Sequence, residues 1–359
     1  MSATSLSVLH LDAGRVWAGG QNQVRLLMRG LAAHGVRQLC LCPAGSPLEK
    51  RLAEEGLPVR GIAWRGGADP RAVVSIAHAL RGFDVVHTHD AHALQIAILP
   101  ARLRRVPIVA ARRVHFATSA RKWNLADRVI AISGTVRDAL VRSGVDPDRI
   151  REVWSGIDAE EVAARPPLDP PLRARLGISP DAFVIGNIGH LHRYKGQAVI
   201  PAAAALLPDT HWIVVGEGPQ RSAIEAEIER HGIAGRVHLT GEIPDARRVL
   251  REFDVFAFAS PNEPLGTSVL DAMAAGVPVV GADAAGVREI LKPVHDAVGP
   301  CLFAPGDAEA LAGAVRRLRD EPALREAIVV AQRRRLEDYR IERTVERTLD
   351  VYRELVEKR

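Results

Sequence analysis

The stretch Ser260–Gly281, SPNEPLGTSVLDAMAAGVPVVG, decides the fold of this chain and carries much of its chemistry. The apolar run VFAFA before it and the run VPVV near its end predict two buried strands, with a short helix between them that begins near Thr267. Gly266 allows a ligand to approach the backbone closely, and the first turn of the helix offers free N–H groups. Together these features predict an anion-binding loop.

Two carboxylates flank this loop. Glu263 lies in the tight turn before the helix, and seven residues separate it from Asp271. A helix that begins at Thr267 places Asp271 one turn in, on the same face as Thr267. The segment therefore offers hydroxyl-binding carboxylates on both sides of anion-binding amides, which is what a sugar nucleotide requires.

Short apolar strands alternate with helices along the chain, in two series. The strands of the first series are LSVLHLD, QLCLCPA, VVHTH, PIVAAR and RVIAIS, and those of the second are FVIGNIG, HWIVVGEG, RVHLTG, VFAFAS and VPVVG. Helices such as NQVRLLMRGLAAHG, DARRVLREF and TSVLDAMAAG separate them. Apolar strands separated by helices predict parallel sheets covered on both faces, so the fold class is α/β with two doubly wound domains.

A proline-rich stretch lies between the two series. Residues 163–172, AARPPLDPPL, hold four prolines and cannot form a regular element, so they predict a linker that acts as a hinge. The predicted domains are residues 1–165 and 166–338. Residues 339–359 form a charged C-terminal helix that is expected to pack back on the first domain.

The composition is that of a globular protein without a membrane span. The chain has 359 residues, 47% of them hydrophobic, which is enough for two domains with full cores. It has no apolar run of membrane-spanning length and no secretory leader in residues 1–10, so we expect a cytoplasmic protein. Cys40, Cys42 and Cys301 are too scattered for a metal set and are expected to be buried thiols. The net charge of +5 fits attraction to anionic lipid or phosphorylated substrates, and equally a solvated surface.

Several pieces of the chain, taken in order, resemble the retaining glycosyltransferases of the GT-B fold that are called GT4-type or group 1. The likeness covers nearly the whole chain and rests on Gly19-Gly20 with its helix, VIAIS, GID at 156–158, IGHLHRYKG, VVGEGP, LTGEI and EPLGTSVLDAMAAGVPVV. The family pattern is Glu-x7-Glu, and this chain has Asp271 at the second position. The resemblance implies two Rossmann-like domains whose parallel sheets face an interdomain cleft.

The resemblance also implies a binding site for a nucleotide-sugar donor in the second domain. Lys195, in the loop GHLHRYKGQ, would stabilise the leaving diphosphate, and Glu263 would accept a hydrogen bond from the donor sugar. Family members usually have an arginine where this chain has His190, so that either His190 or Arg193 takes its place. Asp271 would bind the ribose. The other implied donor contacts are Gly19 and Gly20, in a turn ahead of a helix from Gln21, and Gly216, Ile243, Leu265, Gly266 and Thr267.

The first domain is expected to bind the acceptor. The motif HTHDAHA places His89 and Asp90 at the end of a strand, where they would form a polar pocket for an acceptor hydroxyl. A metal site is the alternative, and its ligands would be His87, His89, Asp90 and His92. No second cluster of ligands accompanies this motif, so we expect no metal.

The run PIVAARRVHF ends the next strand of the first domain. Many relatives have a histidine at this strand end that contacts the donor sugar. The closest match here is Arg113, with His115 two residues on, and which of them enters the cleft stays open. A basic patch is predicted nearby, for a phosphorylated lipid acceptor or as a solvated face, from Arg112, Arg113, Arg121 and Lys122.

The function implied by the resemblance is transfer of a hexose-type sugar, with retention, to a glycan or lipid-linked acceptor. Lipopolysaccharide or another cell-surface polysaccharide would be the product, made at the inner face of the plasma membrane with peripheral contact to anionic lipid. We expect no cofactor and no nucleic acid partner. The alternatives are a sugar-nucleotide 2-epimerase on the same fold and a non-catalytic sugar-nucleotide-binding protein, the second supported by the departures at His190 and Asp271. A Rossmann dehydrogenase fits poorly, since no G-x-G-x-x-G follows the first strand.

Overall fold

The computed structural model describes residues 6–66 and 69–357, which divide into two compact units. The first unit contains the chain up to Gly156 and again from Ile341, and the second unit is Ile157–Arg340. The predicted domain boundary at residue 165 lies inside the second unit.

The first unit is built on a sheet of seven parallel strands in the order β3-β2-β1-β4-β5-β6-β7. Its strands are β1 Ser7–Leu11, β2 Arg37–Pro43, β3 Val59–Ile62, β4 Val85–Thr88, β5 Ile108–Arg112, β6 Arg128–Ala131 and β7 Ile150–Glu152. Its helices are α1 Gly19–Ala33, α2 Pro47–Glu54, α3 Pro70–Ala79, α4 Ala91–Arg104, α5 Ala120–Trp123, α6 Gly134–Arg142 and, from the end of the chain, α15 Ile341–Val356. Short 3₁₀ helices cover Leu80–Gly82 and Pro147–Arg149.

Helix α15 completes the core of the first unit. Its residues Val345, Leu349 and Tyr352 are buried in one cluster with Leu27 and Leu31 of α1. A Cβ placed on Gly30 would lie 2.4 Å from Cγ2 of Val345, so α1 needs a glycine there for α15 to pack this closely. The helix that the sequence shows as strongly charged is therefore amphipathic, with one buried apolar face.

The second unit is built on a sheet of six parallel strands in the order β10-β9-β8-β11-β12-β13. Its strands are β8 Phe183–Ile188, β9 Thr210–Val215, β10 Val237–Gly241, β11 Val255–Phe258, β12 Val279–Ala282 and β13 Leu302–Phe303. Its helices are α7 Ala159–Ala163, α8 Leu172–Arg175, α9 Ile200–Ala205, α10 Arg221–Arg230, α11 Thr267–Ala274, α12 Ala285–Val298, α13 Ala308–Asp320 and α14 Pro322–Leu336. Turns of 3₁₀ helix cover Arg193–Lys195, Gln197–Val199, Ala246–Glu252 and Glu337–Tyr339.

Both sheets are doubly wound, as predicted, and each reverses its direction of growth once. In the first sheet the reversal lies between β1 and β4, and in the second it lies between β8 and β11. Loops at the carboxyl ends of two such strands leave the sheet in opposite directions and open a crevice between them. These two places are where each unit is expected to bind a ligand.

The proline-rich stretch does not link the two units, which corrects the prediction of a hinge there. Residues 163–172 run along the second unit, with Leu168 and Leu172 buried. Arg248 donates to the carbonyl oxygens of Pro166 at 3.0 Å and Pro167 at 2.8 Å. Prolines lack an N–H group but keep their carbonyl oxygen. The side chain of a neighbouring arginine can therefore donate hydrogen bonds to the carbonyl oxygens of an irregular segment on the surface of a domain.

One predicted helix start and one predicted helix type also differ from the structure. Gly19 and Gly20 are the first residues of α1 and do not form a turn ahead of it. No side chain of residues 6–66 and 69–357 caps the start of helix α1, which gains its stability by burying Leu27, Met28 and Leu31, so the glycines are tolerated at its end. The predicted helix DARRVLREF is a 3₁₀ helix over Ala246–Glu252, after which the chain becomes extended at Phe253 before β11.

Within the described residues, no helix combines the length and the apolar character needed to span a bilayer.

Candidate functional site

The loops that follow β8 and β11 meet at the reversal point of the second sheet. Gly196 has φ +68°, and a Cβ placed on it would lie 2.3 Å from the carbonyl oxygen of Ala259. The hydroxyl of Ser260 donates to the carbonyl oxygen of Tyr194 at 3.2 Å. A glycine is therefore needed at position 196 for the two loops to lie against each other.

This contact brings Lys195 and Glu263 together. Nζ of Lys195 lies 2.7 Å from Oε2 of Glu263, and their side chains are only 19% and 16% exposed. The Lys195 ammonium also lies 5.6 Å from the ring centre of Tyr194 and 6.0 Å from that of Phe258. A partly desolvated charge pair of this kind offers a cation to a phosphate and an acceptor to a hydroxyl at one place.

Two helices begin beside Glu263. Helix α11 starts at Thr267 as predicted, after Gly266 with φ +101°, and among the described residues no side chain caps it. Helix α12 likewise starts without a capping side chain from the part of the chain that the structure describes, and the N–H of Gly286 donates to the carbonyl oxygen of Glu263 at 3.0 Å. Leu265 of the predicted donor site is buried against this second helix start. Two helix N-termini therefore aim positive dipole ends at the loop 263–266, which favours an anion there.

The remaining donor residues of the second unit lie on loops at the carboxyl ends of β8, β9 and β10. Gly216 has φ +143°, and a Cβ on it would lie 2.1 Å from the carbonyl oxygen of Gly189, so the loops after β8 and β9 touch through a glycine. His190 and Arg193 are both exposed on the loop after β8, and Ile243 is half-buried after β10. Both His190 and Arg193 are thus accessible to a ligand. That one of the two replaces the family arginine stays a prediction.

Asp271 lies in a charged surrounding that its sequence neighbours do not reveal. Burial raises the pKa of Asp271 to about 7, Arg247 opposes this rise, and Asp245 and Glu161 add to it. Arg247 pairs with Asp245 at 2.8 Å, and Arg165 pairs with Glu161 at 2.6 Å. These four residues come from α7 and from segments after α7 and β10, and sequence reasoning missed them. The ribose contact of Asp271 stays a prediction.

In the first unit, the two predicted acceptor residues have different surroundings. Asp90 caps α4, because its Oδ1 accepts from the N–H groups of His92 at 2.7 Å and Ala93 at 2.9 Å. Its Oδ2 accepts from the N–H of Ala13 at 2.7 Å. Both carboxylate oxygens therefore hold the backbone in place. His89 is buried at the end of β4, and its role in acceptor binding stays a prediction.

Arg113 follows the end of β5 and joins His89 at the reversal point of the first sheet. Its Nη2 lies 3.5 Å from Nδ1 of His89, and its Nη1 donates to the hydroxyl of Ser155 at 3.4 Å. A Cβ on Gly20 would lie 3.6 Å from Cδ of Arg113, which places the start of α1 beside the guanidinium. Burial lowers the pKa of Arg113 to about 10, against the nearby charges of Asp12 and Asp90. Arg113 stays a cation at neutral pH.

Asp12 is a polar residue of this cluster that the sequence reasoning missed. It is buried and accepts from the N–H of Gly14 at 2.8 Å and from the side-chain amide of Gln21 at 3.2 Å. Burial, together with the charge of Asp90, raises the pKa of Asp12. A carboxylate directly after a buried strand is the signal that could have found it.

His115 is half-buried, and its ring lies tilted beside that of Phe116 with the ring centres 5.0 Å apart. The predicted basic patch is smaller than expected, because Arg112 points inward. It is 8% exposed, donates to the carbonyl oxygen of Phe116 at 2.8 Å and lies over the ring of Trp123. Arg121 is exposed and Lys122 half-buried.

The ligand set that the sequence offered as the alternative metal site is not the cluster that the fold assembles. Asp90 caps α4 and His92 is exposed, whereas His10 of β1 joins His87 and His89. One ring nitrogen of each of these three buried histidines lies within 4.8 Å of the other two. Burial lowers the pKa of His10 to about 4 and those of His87 and His89 well below the ordinary value, so all three are neutral near pH 7.

Comparison with known families matches each unit separately. A model described as Glycosyltransferase Family 4 matches residues 17–161, and a model described as Glycosyl transferases group 1 matches residues 182–321. The lipopolysaccharide core biosynthesis glycosyltransferase LpsD of Rhizobium meliloti is 35% identical over 51% of this chain and 54% of its own length. The 2-deoxystreptamine glucosyltransferase of Streptomyces kanamyceticus is 30% identical over 68% of this chain and 64% of its own length. The matched region thus spans less than two thirds of each relative.

Solved structures share the fold. HepE of Anabaena, in complex with UDP, superposes with a TM-score of 0.82 at 21% identity, covering 96% of this chain and 99% of HepE. Its complex with UDP-glucose gives a TM-score of 0.80 at 22% identity. Glycosyltransferase models match both units, and the chain therefore belongs to the family 4, group 1 glycosyltransferases of the GT-B fold.

Proposed function

We propose that this chain is a retaining glycosyltransferase that moves a hexose-type sugar from a nucleotide-diphosphate sugar to a glycan or lipid-linked acceptor. Lipopolysaccharide or another cell-surface polysaccharide is the proposed product. The observation that carries the proposal is the contact of 2.7 Å between Lys195 Nζ and Glu263 Oε2, beside two helix N-termini. The proposal is supported by the name of LpsD, a lipopolysaccharide core biosynthesis glycosyltransferase, and by the complex of HepE with UDP-glucose.

The proposed chemistry follows from this arrangement. The donor's diphosphate lies against the amides of Gly266 and Thr267, with Lys195 balancing the charge that develops as the bond to the sugar breaks. Glu263 accepts a hydrogen bond from a sugar hydroxyl. The leaving phosphate takes the proton of the acceptor hydroxyl on the same face of the sugar, which gives retention. In the first unit, Arg113 contacts the substrate from the end of β5.

We further propose that transfer needs no metal ion, because Lys195 and the helix N-termini supply the positive charge that the diphosphate requires. Addition of EDTA to the transfer assay is expected to leave the rate unchanged. A loss of rate that Mg²⁺ or Mn²⁺ restores would contradict this part of the proposal.

Turnover of defined donors tests the function. UDP-, GDP-, ADP- and CMP-sugars are incubated with the protein, with and without a lipid-extracted acceptor fraction, and nucleotide release and sugar products are measured. Transfer that requires the acceptor and is at least about a hundredfold slower in Glu263→Ala supports the proposal. Conversion of the donor into its 2-epimer without acceptor would show an epimerase. Nucleotide binding without turnover would show a binding protein.

Contact with an anionic membrane is also proposed, through α4. Leu99 and Leu103 lie one turn apart on this helix and are 60% and 75% exposed, and exposed arginines follow at positions 102, 104 and 105. Exposed leucines among arginines fit the headgroup region of an anionic bilayer.

Vesicle flotation tests this contact. We expect flotation of the protein with phosphatidylglycerol-containing vesicles but not with vesicles of pure phosphatidylcholine. Leu99→Ser with Leu103→Ser should abolish it, whereas Val330→Ser, at a residue 48% exposed on α14, should not. Equal flotation of all variants would contradict this contact.

A further inference from the structure

A chain of hydrogen bonds runs through the interior of the first unit from Arg113 to the backbone of α1. Nη2 of Arg113 lies 3.5 Å from Nδ1 of His89, and Nε2 of His89 lies 3.0 Å from Nδ1 of His10. Nε2 of His10 lies 3.1 Å from Oε1 of Gln38. The amide nitrogen of Gln38 donates to the carbonyl oxygen of Met28 at 2.9 Å. His10, His89 and Gln38 are all buried, so the bonds that these three side chains form with one another and with Met28 are closed to solvent, and the bond to Arg113 is part-buried.

The two ends of the chain fix the direction of every bond within it. A guanidinium group can only donate and a backbone carbonyl can only accept. Nδ1 of His89 must therefore accept from Arg113, and the ring proton of His89 lies on Nε2 and is donated to His10. Nδ1 of His10 accepts this bond, and its own proton lies on Nε2 and is donated to Gln38. Both rings are neutral near pH 7, as this arrangement requires.

The opposite tautomer of His89 would place its Nδ1–H against an N–H of Arg113. Two donors cannot share a hydrogen bond, so the guanidinium would have to move. We propose that His10 and Gln38 are positioning residues, which hold His89 as the Nε2-protonated tautomer and through it fix Arg113 at the end of β5. The consequence for activity rests on the proposed function, in which Arg113 contacts the substrate. The hydrogen-bond chain itself does not depend on that function.

The same histidines could otherwise be read as a metal site with His87. A metal bound to Nε2 of His89 would move the ring proton to Nδ1, where it faces Arg113. The hydrogen bonds give both nitrogens of His10 and of His89 a partner without a metal. The contact between Arg113 and His89 therefore favours the hydrogen-bond chain.

The tautomers can be measured directly on the full chain. Ring ¹⁵N chemical shifts are recorded on protein labelled at histidine, with the 13 histidines assigned through single substitutions such as His10→Gln and His89→Gln. Protonated Nε2 and unprotonated Nδ1 in both His10 and His89 are expected. A proton on Nδ1 of either ring would overturn the proposal. Stoichiometric binding of added Zn²⁺ that shifts these ring signals would also overturn it.

Coupling between Gln38 and Arg113 tests the positioning role. Gln38→Leu removes the acceptor that fixes the tautomer of His10. Gln332→Leu is the matched control, since Gln332 is a buried amide that donates to the carbonyl oxygen of Val279 in the second unit. We expect Gln38→Leu to lower kcat/KM for transfer about tenfold, mainly through kcat, and to cause no further loss in an Arg113→Ala background. Gln332→Leu should stay within about twofold of wild type.

Additive losses in the double variant Gln38→Leu, Arg113→Ala would overturn the positioning role. If Gln38→Leu does not fold, the tautomers of the wild-type chain still decide the proposal. The expected tautomers together with wild-type transfer by Arg113→Ala would refute the proposed role of Arg113 in catalysis, and not the hydrogen-bond chain.

Discussion

Replacing Gly196 by alanine should damage the candidate donor site through one contact. The left-handed backbone at φ +68° destabilises the folded chain with an alanine by about 1–2 kcal/mol. An alanine also has less freedom than a glycine in the unfolded chain, and this offsets about 0.4–1 kcal/mol of that loss. The new Cβ would also lie 2.3 Å from the carbonyl oxygen of Ala259 and 3.0 Å from Cδ of Pro261. Relief of such overlap against backbone costs about 1–3 kcal/mol. We expect a loss of about 2–4 kcal/mol in the free energy of unfolding.

Gly232→Ala is the matched control. Gly232 has φ +65°, and a Cβ on it would meet no atom of the described residues within 4 Å. The conformational cost is the same and the overlap is absent, so this variant should lose about 1 kcal/mol. The difference between the two variants isolates the contact between the loops after β8 and β11.

Urea unfolding followed by circular dichroism measures both losses. The overlap also moves Lys195 away from Glu263, so Gly196→Ala should lower kcat for transfer at least about tenfold while Gly232→Ala stays near wild type. Equal losses of stability in the two variants would refute the reasoning, because the loop would then not depend on its contact with Ala259.

Two further predictions concern Asp271 and Glu354. The folded chain keeps a proton on Asp271 between about pH 4 and pH 7 that the unfolded chain has lost, so stability falls as pH rises through this window. Asp271→Asn should therefore change unfolding in urea little at about pH 4 and stabilise the chain at about pH 8, and an equal effect at both values would contradict the raised pKa. Glu354 of α15 pairs with Arg151 at 2.7 Å and also with Arg128. Glu354→Ala should cost about 1–3 kcal/mol and speed hydrogen exchange in α15, while Asp350→Ala, at an exposed pair, should do neither. Unchanged exchange in Glu354→Ala would show that these pairs do not hold the helix.

The parts of the fold that follow from local pattern were predictable. Apolar strands between helices indicate parallel doubly wound sheets, and the loop before Thr267 shows where α11 begins. Lys195 and Glu263 were both selected from the sequence, and the sheet brings their loops together because β8 and β11 are neighbours.

The parts that depend on contacts between distant segments were not predictable. Asp271 is surrounded by charges from α7 and the segment after β10, and the sequence around Asp271 does not indicate that these segments lie beside it. His10 and His89 are 79 residues apart and meet only because β1 pairs with β4. The prolines of residues 163–172 indicate an irregular segment but not the arginine that fastens it to the second unit.

The central claim is that Lys195 binds the diphosphate of a nucleotide-sugar donor. The contribution of Lys195 to nucleotide binding tests this claim most directly. Isothermal titration of UDP, GDP, ADP and CMP into the full chain identifies the nucleotide, and the same titration is repeated with Lys195→Ala. Lys292→Ala is the control, because Lys292 forms an exposed pair with Asp296 on α12. We expect the Kd to rise at least about tenfold in Lys195→Ala and to stay within about twofold in Lys292→Ala. An unchanged Kd in Lys195→Ala, or no binding of any nucleotide to the wild-type chain, would contradict the account.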